Sequence, residues 1–194
     1  MITDLTSGPG AKLNFAMSRA GSAAIVSRGF PPVVGAKPSV LILGSLPGRA
    51  SIEAGEYYAQ PRNAFWRIMG ALCAAGPEHS YLRRLAALKR AGVALWDVLH
   101  AAQRPGSLDS NIVAGSEQMN PIAELLTRKL SISLVAFNGQ KAAHVFGRHV
   151  QPMLTRDDID TVTLPSSSPA HASLSLDQKL ELWLAALGPY LDTA

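Results

Sequence analysis

Four short apolar runs divide the chain. They are VLILG from Val40, VALWDV from Val93, ISLVAFNG from Ile132 and TVTLP from Thr161. Segments with helical spacing of apolar residues separate them. Continuous apolar runs that alternate with helices are typical of a parallel sheet buried on both faces. The pattern therefore predicts an α/β fold with four parallel strands.

Two helices are predicted between the first and second runs. Asn63 is a residue type that caps helices, and it precedes apolar residues at helical spacing, namely Phe65, Ile68, Met69 and Leu72. The same spacing recurs from Tyr81 until Gly92 ends it. Further along the chain, Asn120 with Pro121 predicts another helix start, and Ser175 with Gln178 predicts a capping box.

The length of the chain limits the number of domains. With 194 residues, 47% of them hydrophobic, the chain has enough apolar material for one sizeable core and too little for two. We expect residues 29–194 to form a single globular domain. Residues 1–28 are rich in Gly, Ser and Ala and contain the breaker GPG. They predict a poorly ordered extension or a loosely attached helix.

Charge and cysteine content narrow the function classes. Eighteen Lys and Arg against fourteen Asp and Glu leave a net charge of +4, which favours an anionic partner such as nucleic acid. The lone Cys73 excludes a disulfide framework within the chain and any cysteine-held zinc or iron-sulfur centre, and it fits a reducing cytoplasm. The five histidines show no metal-binding spacing. No apolar run approaches the roughly 18 residues of a membrane span, so we expect no membrane partner.

Four loops are expected to meet at one edge of the sheet, because ligands of such folds bind outside the carboxyl ends of the strands. Their sequences are GSLPGRASIEAGEYYAQPRN, WDVLHAAQRPGSLDSNI, FNGQKA and LPSSSPAHA. The first two exceed the roughly 2 to 6 residues of a plain strand-to-helix connection. This edge is therefore the predicted binding site.

The loops fail to match several familiar chemistries. GSLPG has Leu46 where a nucleophile elbow needs serine, and it lacks both the Gly-Lys-Ser/Thr ending of a phosphate loop and the three-glycine dinucleotide spacing. What remains is a set of glycines, aromatic rings and side-chain amides: Gly44, Gly48, Tyr57, Tyr58, Phe65, Asn63 and Asn138. Such groups suit a flat nucleobase. The serines of LPSSSPA suit the phosphates beside an extruded nucleotide.

The order of these motifs carries a resemblance. The run GSLPGRASIEAGEYYAQPRNAFWRIMG, followed by ALWDVL, GSLDSNI, AFNG and LPSSSPAHAS, resembles the uracil-DNA glycosylase superfamily and, within it, the hypoxanthine-DNA glycosylase branch. It covers residues 29–187. The resemblance implies a three-layer α/β/α sandwich around a four-stranded parallel sheet. It also implies a monomeric base-excision repair enzyme that binds DNA containing a deaminated base and hydrolyses the N-glycosidic bond of the flipped-out base without metal or cofactor.

The resemblance also implies positions for the site. The superfamily's first motif falls on residues 44–48, its base-stacking aromatic on Tyr58, and its phosphate-pinching loop on the segment that Leu164 and Pro165 open. The residues expected to contact the base are Gly44, Ser45, Leu46, Pro47, Gly48, Tyr58, Phe65, Asp97 and Asn138. Those expected to contact the DNA backbone are Pro165, Ser166, Ser167, Ser168 and Pro169.

One departure concerns catalysis. Many branches carry a catalytic Asp, Asn or Glu in the first motif, where this chain has Ser45 and Leu46. In the hypoxanthine branch that work is assigned to the asparagine of an HPRN-like segment, which is Asn63 here. Its neutral amide can orient a water rather than remove a proton. No lysine lies within the motifs to form a Schiff base, so we expect a monofunctional enzyme. Gln60 and His171 depart from the branch pattern, which leaves hypoxanthine and uracil both open as substrates.

Several alternatives stay open from the residues alone. Asn63 can serve as a helix cap only, and Asp97 can bond its own loop rather than read a base. A basic cluster can be solvated or can contact DNA; it consists of Arg83, Arg84, Lys89 and Arg90. The same fold can also be a catalytically silent binder of damaged or single-stranded nucleic acid, or a hydrolase of free nucleosides or nucleotides.

Overall fold

A computed structural model describes residues 26–191 of the chain. Its strands are β1 (Val26–Arg28), β2 (Val40–Gly44), β3 (Val93–Asp97), β4 (Leu99–Gln103), β5 (Gln118–Met119), β6 (Leu134–Asn138) and β7 (Asp160–Leu164). Its α-helices are α1 (Arg49–Ala54), α2 (Phe65–Cys73), α3 (Tyr81–Arg90), α4 (Ile122–Arg128), α5 (Gln140–His149) and α6 (Leu176–Leu187). Most of the predicted N-terminal extension lies outside the described residues.

The four predicted strands form one parallel sheet in the order β3-β2-β6-β7. Its register places Gly44 opposite Asp97 and Asn138 opposite Leu164. These four residues end their strands, so the loops that follow begin side by side at one edge. The predicted parallel sheet is confirmed.

Helices cover both faces of this sheet. Along β2, Val40 and Ile42 face a core built with α2, α3 and α6, whereas Leu41 and Leu43 face a second core built with α4 and α5. All four side chains are fully buried. Because successive strand residues point to opposite faces, a strand between two helix layers needs apolar residues at every position. The three-layer α/β/α sandwich is confirmed.

A second, antiparallel sheet of three short strands lies beside the first, in the order β1-β4-β5. Strand β4 follows β3 after a single residue, Val98, and pairs with β1 through Val26 to Arg28. The assignment of residues 26–28 to a loosely attached extension is therefore wrong. Such a strand of three residues is held by backbone pairing at a sheet edge, which leaves no apolar period in the sequence.

The helix starts agree with the sequence in part. Ser175 Oγ accepts from the N–H of Gln178, and Gln178 Oε1 accepts from the N–H of Ser175, so the capping box is confirmed. The cap predicted at Asn120 is wrong, because α4 starts after Pro121 without a side-chain cap. Instead, buried Asn120 donates from Nδ2 to the carbonyl of Asp97 at 2.8 Å and ties α4 to the end of β3.

Between residues 26 and 191, no helix combines the length and the apolar composition needed to cross a membrane.

Candidate active site

A cavity of about 770 Å³ opens at the carboxyl edge of the parallel sheet. All four of the predicted loops contribute to its wall. Among the residues singled out from the sequence, those that line it are Gly44, Ser45, Leu46, Pro47, Gly48, Tyr57, Tyr58, Gln60, Asn63, Asp97, Asn138, Ser166, Ser167, Ser168, Pro169 and His171. The strand order thus brings together chemistry that is spread over more than 120 residues of sequence.

Two of the predicted contact residues lie behind the cavity wall. Phe65 is fully buried, and its ring stacks on Tyr58 with 4.0 Å between centroids. Pro165 directly follows Leu164, the last residue of β7, and its carbonyl accepts a hydrogen bond of 3.0 Å from Nε1 of buried Trp183. Phe65 therefore supports the ring of Tyr58, and Pro165 ties the serine loop to α6.

The loop of residues 44–48 has a hydrogen-bond donor for every one of its carbonyl oxygens. Backbone donors come from Val98, from the first residue of β4 and from helix α1, and one guanidinium supplies the rest. The N–H of Val98 donates to the carbonyl of Gly44 at 2.9 Å, and the N–H of Leu99 to that of Ser45 at 3.1 Å. Arg104 donates to the carbonyls of Leu46 and Pro47. The N–H of Ile52 donates to the carbonyl of Gly48 at 3.0 Å. Each carbonyl of this loop is therefore directed at a donor within the protein.

Unlike its carbonyls, several N–H groups of the same loop have no hydrogen-bond partner among the described residues. Among the described residues, the amides of Ser45, Leu46 and Gly48 have no acceptor, and Pro47 has no N–H. A stretch of backbone that offers donors while its acceptors are occupied is complementary to a carbonyl oxygen or an anion. The loop therefore presents a donor-rich wall to the cavity.

Glycine is required at the start of this loop. A Cβ on Gly44 would collide with Asp97 Oδ1 and would stand 2.9 Å from the hydroxyl oxygen of Tyr58. Both neighbours are buried polar groups, and neither Asp97 Oδ2 nor the Tyr58 hydroxyl has a hydrogen-bond partner among the described residues. An unpartnered buried polar atom costs free energy, so the pair is suited to meet polar atoms of a ligand.

Asp97 is an acid with an altered pKa. Its side chain is 3% exposed, and burial raises its pKa to about 7; the carboxylate of Asp109 adds to the rise, and Arg104 opposes it. Near neutral pH, the carboxyl group therefore exists in both forms and can accept or donate a hydrogen bond. Tyr58 stays neutral, because burial and the nearby Asp97 raise its pKa.

Tyr58 occupies an unusual backbone conformation. Its φ of 55° lies in the left-handed region, which costs a residue with a Cβ of the order of 1–3 kcal/mol. Its neighbour Tyr57 holds the turn, since its N–H donates to the hydroxyl of Tyr81 at 3.0 Å and its carbonyl accepts from Nε1 of Trp66 at 2.8 Å. The ring of Tyr58 is thus held in place from both its backbone and Phe65.

Of the four basic residues singled out on α3, Arg84 packs against aromatic rings of the fold. The guanidinium of Arg84 lies 4.5 Å from the ring centre of Trp66 and 5.2 Å from that of Tyr81, and it pairs with Glu56 at 3.0 Å. Arg83, Lys89 and Arg90 are exposed. Arg84 therefore supports the aromatic residues beneath the Tyr57–Tyr58 turn.

Asn63 bonds the first N–H of α2 from two residues before the helix, whereas Ala64, which directly precedes the helix, provides no side-chain cap. The Oδ1 of Asn63 accepts from the N–H of Phe65 at 2.9 Å. The same half-buried side chain also lines the cavity. The following N–H, of Ala64, donates to the carbonyl of Ser167 at 2.9 Å, so the Asn63 segment and the serine loop form one continuous wall.

The serine loop is held by Asn138. Asn138 Oδ1 accepts from the N–H of Ser167, and its Nδ2 donates to the Ser167 hydroxyl, each at 2.8 Å. Ser166 and Ser168 accept backbone N–H bonds from two residues further along the loop. The Asn138 amide is therefore committed to the loop that follows β7.

Sequence reasoning missed a group of residues in the wall. They lie in the long loop after β4 and are Ser107, Leu108 and Asp109, with Arg104 buried behind them. Asp109 accepts from the Ser45 hydroxyl at 2.6 Å, and Ser107 accepts from the N–H of Arg49 at 3.1 Å. The available signal was the unusual length of that loop.

The fold and the site together define a class. The α/β sandwich carries a cavity at its sheet edge with amide donors unpartnered among the described residues, a fixed aromatic ring and a serine-rich loop, and such a site suits a flat polar ligand such as a nucleobase. A family model described as the uracil DNA glycosylase superfamily matches residues 31–187. The chain therefore belongs to the uracil DNA glycosylase superfamily, as its motifs predicted.

Named relatives agree with this membership. A hypoxanthine DNA glycosylase of Methanosarcina acetivorans is 37% identical over 158 residues, covering 81% of this chain and 96% of the relative. One of Methanosarcina barkeri is 38% identical over 160 residues, with coverage of 82% and 96%. The solution NMR structure of a candidate uracil DNA glycosylase from M. acetivorans has a TM-score of 0.68 at 34% identity, covering 81% of this chain and 94% of that one.

The altered pKa of Asp97 predicts how stability depends on pH. The folded state holds the proton of Asp97 more tightly than the unfolded chain does, so this group stabilises the fold most below its ordinary pKa of 3.8, and that stabilisation is lost as the pH rises to about 7. Asp97→Asn removes the effect. Its free energy of unfolding should gain about 2 kcal/mol relative to the wild type between pH 5 and pH 8, measured by urea denaturation.

The control for this test is Asp157→Asn, which removes a carboxylate from the surface. We expect its stability to follow that of the wild type within about 0.5 kcal/mol at each pH. If the curves of Asp97→Asn and the wild type run parallel from pH 5 to pH 8, Asp97 does not have the raised pKa.

Proposed function

We propose that the protein is a monofunctional DNA glycosylase that hydrolyses the N-glycosidic bond of a deaminated base, with hypoxanthine as the main substrate and uracil as a second. Its partner is DNA that contains such a base, and it acts as a monomer in the reducing cytoplasm. One observation carries the proposal: in the loop of residues 44–48, every carbonyl has a donor, and three amides have no acceptor among the described residues. The names of the relatives support the choice of base.

The donor-rich loop suits the chemistry of the bond that breaks. Cleavage of a base-sugar bond builds positive charge on the sugar and negative charge on the departing base, so donors aimed at the base favour the transition state. A deaminated base also carries a carbonyl oxygen where its parent carries an amino group. Amide N–H groups donate to that oxygen, whereas they cannot bond the hydrogens of the parent's amino group, and this difference provides discrimination.

Asp97 is placed to add to this discrimination. Hypoxanthine and uracil carry a ring N–H beside their new carbonyl, whereas adenine and cytosine have a bare ring nitrogen at that position. The ionised form of Asp97 accepts from such an N–H, and its unpartnered Oδ2 is buried at the cavity. We propose that the amides of the loop and Asp97 read this acceptor and donor together.

Asn63 is the proposed catalytic residue. No carboxylate or side-chain amide occurs within residues 44–48, so the attacking water has to be oriented from elsewhere in the wall. The bond from the N–H of Phe65 to Asn63 Oδ1 fixes the plane of the amide before substrate binds. A pre-oriented amide contributes by placing water near the anomeric carbon rather than by removing its proton.

Tyr58 and the serine loop are proposed to hold the flipped nucleotide. The ring of Tyr58 is supported by Phe65 and offers a stacking surface for the base. Flipping a base out of the duplex costs a few kcal/mol, which contacts to the backbone phosphates offset. Ser166, Ser168 and Pro169 line the cavity beside His171, in a protein of net charge +4.

The test uses labelled oligonucleotides that carry one inosine or one uracil, as duplexes and as single strands, with free deoxyinosine in a parallel reaction. We expect alkali-labile strands from the inosine duplex and an intact backbone before alkali. Binding without any alkali-labile product would make the protein a silent binder. Hydrolysis of free deoxyinosine alone would make it a nucleoside hydrolase. Either result contradicts the proposal.

Three substitutions separate the two roles of Asn63. Asn63→Ala loses both the cap and the amide, whereas Asn63→Ser and Asn63→Asp keep a good cap. We expect Ala to cost about 1 kcal/mol of stability, and Ala and Ser both to lower the single-turnover excision rate by roughly two to four orders of magnitude. Asp introduces a true base and should retain more activity than Ser. Full single-turnover activity in Asn63→Ser would show that Asn63 is a cap only.

A further inference from the structure

Arg104 is a buried cation directly behind the base-binding loop. Its side chain is 1% exposed, and the residue directly follows Gln103, the last residue of β4. The guanidinium donates to the carbonyl of Leu46 at 3.1 Å and to the carbonyl of Pro47. A single side chain thus occupies two consecutive carbonyls of the loop that contacts the base.

A second set of contacts holds the guanidinium in place. Asp109 Oδ1 lies 3.6 Å from Nη1 of Arg104, and Asp109 Oδ2 accepts from the hydroxyl of Ser45 at 2.6 Å. A chain of contacts therefore runs from the Ser45 hydroxyl through Asp109 to Arg104. It returns from Arg104 to the same loop, at the carbonyls of Leu46 and Pro47. Removing a charge from water is expensive, and the Asp109 carboxylate and the two carbonyls offset that cost at Nη1 and Nη2, whereas Nε has no hydrogen-bond partner among the described residues.

The direction of the two carbonyls decides what the loop offers to a ligand. Within one peptide plane, the C=O and the next N–H point in opposite directions. The Pro47 carbonyl points to Arg104, so the N–H of Gly48 points away from it. Without the guanidinium, the Leu46 and Pro47 carbonyls would be free to turn, and an oxygen facing the departing base would repel its negative charge.

We propose that Arg104, held by Asp109, is a positioning residue for base excision that keeps the carbonyls of Leu46 and Pro47 turned away from the base. This inference rests on the proposed function. Arg104 acts through the loop and contacts no substrate itself. Its effect belongs to the step in which charge develops on the base, because in that step a misdirected carbonyl costs most.

The experiment compares Arg104→Met, Arg104→Lys and the wild type on an inosine duplex at saturating enzyme. Binding is measured separately, with a duplex that carries 2′-fluoro-deoxyinosine, a nucleotide with a stabilised glycosidic bond. We expect Met to lower the single-turnover rate by about 100-fold or more while DNA affinity changes less than about 3-fold. Arg104→Lys keeps the positive charge but lacks the planar guanidinium that reaches two carbonyls, so its rate should lie between those of Arg104→Met and the wild type.

Exposed Arg148 on α5 is the matched control, and Arg148→Met should keep the wild-type rate. A folded Arg104→Met enzyme with a rate within about 3-fold of the wild type would overturn the proposal. Equal losses of rate and DNA affinity would also overturn it, since they indicate general damage to the site.

A second pair of variants covers the case in which Arg104→Met does not fold. Asp109→Asn and Ser45→Ala each break one link of the path at a partly exposed position. We expect the rate to fall about 10-fold in each, with unchanged thermal stability and DNA affinity. Wild-type rates in both would overturn the proposal. An inactive wild type on every deaminated base would instead refute the proposed function, so the two failures are distinguishable.

Discussion

The site depends on one constraint: each carbonyl oxygen of residues 44–48 accepts a hydrogen bond from a donor within the protein. The N–H groups of Val98 and of Leu99, which starts β4, bond the first two, Arg104 bonds the next two, and the first turn of α1 bonds the last. This explains why β4 continues directly from β3 and why a guanidinium is buried at its end. With each carbonyl bonded within the protein, the amides of Ser45, Leu46 and Gly48, which have no acceptor among the described residues, make the loop rich in donors.

That donor character links the structure to the chemistry. A base that leaves as an anion is stabilised by fixed N–H groups in a cavity that excludes much of the water. Such groups cost no reorganisation when the bond breaks, because the sheet and the helices already hold the loop. The aromatic support of Tyr58 by Phe65 and the tie between Asn138 and Ser167 fix the remaining walls in the same way.

Sequence reasoning predicted the parts that repeat along the chain. Strands buried on both faces leave continuous apolar runs, and the Ser175 capping box is local, so both were visible. The topology then placed four loops together. Contacts between segments far apart in the chain leave no periodic pattern in the sequence. Examples are the hydrogen bond from Arg104 to the carbonyl of Leu46, the one from the Ser45 hydroxyl to Asp109, and the pairing of β1 with β4. For Asn63, the bond to the start of α2 could be predicted from the local sequence, whereas its catalytic role stays a prediction.

The most direct test of the account is a structure of the protein bound to a duplex that contains 2′-fluoro-deoxyinosine. We expect the flipped hypoxanthine in the cavity, with its carbonyl oxygen within about 3.2 Å of the amide nitrogens of at least two of Ser45, Leu46 and Gly48. The carbonyls of Leu46 and Pro47 should still face Arg104. A base held by side chains alone, with the loop amides bonded to water or the two carbonyls turned toward the base, would contradict the account.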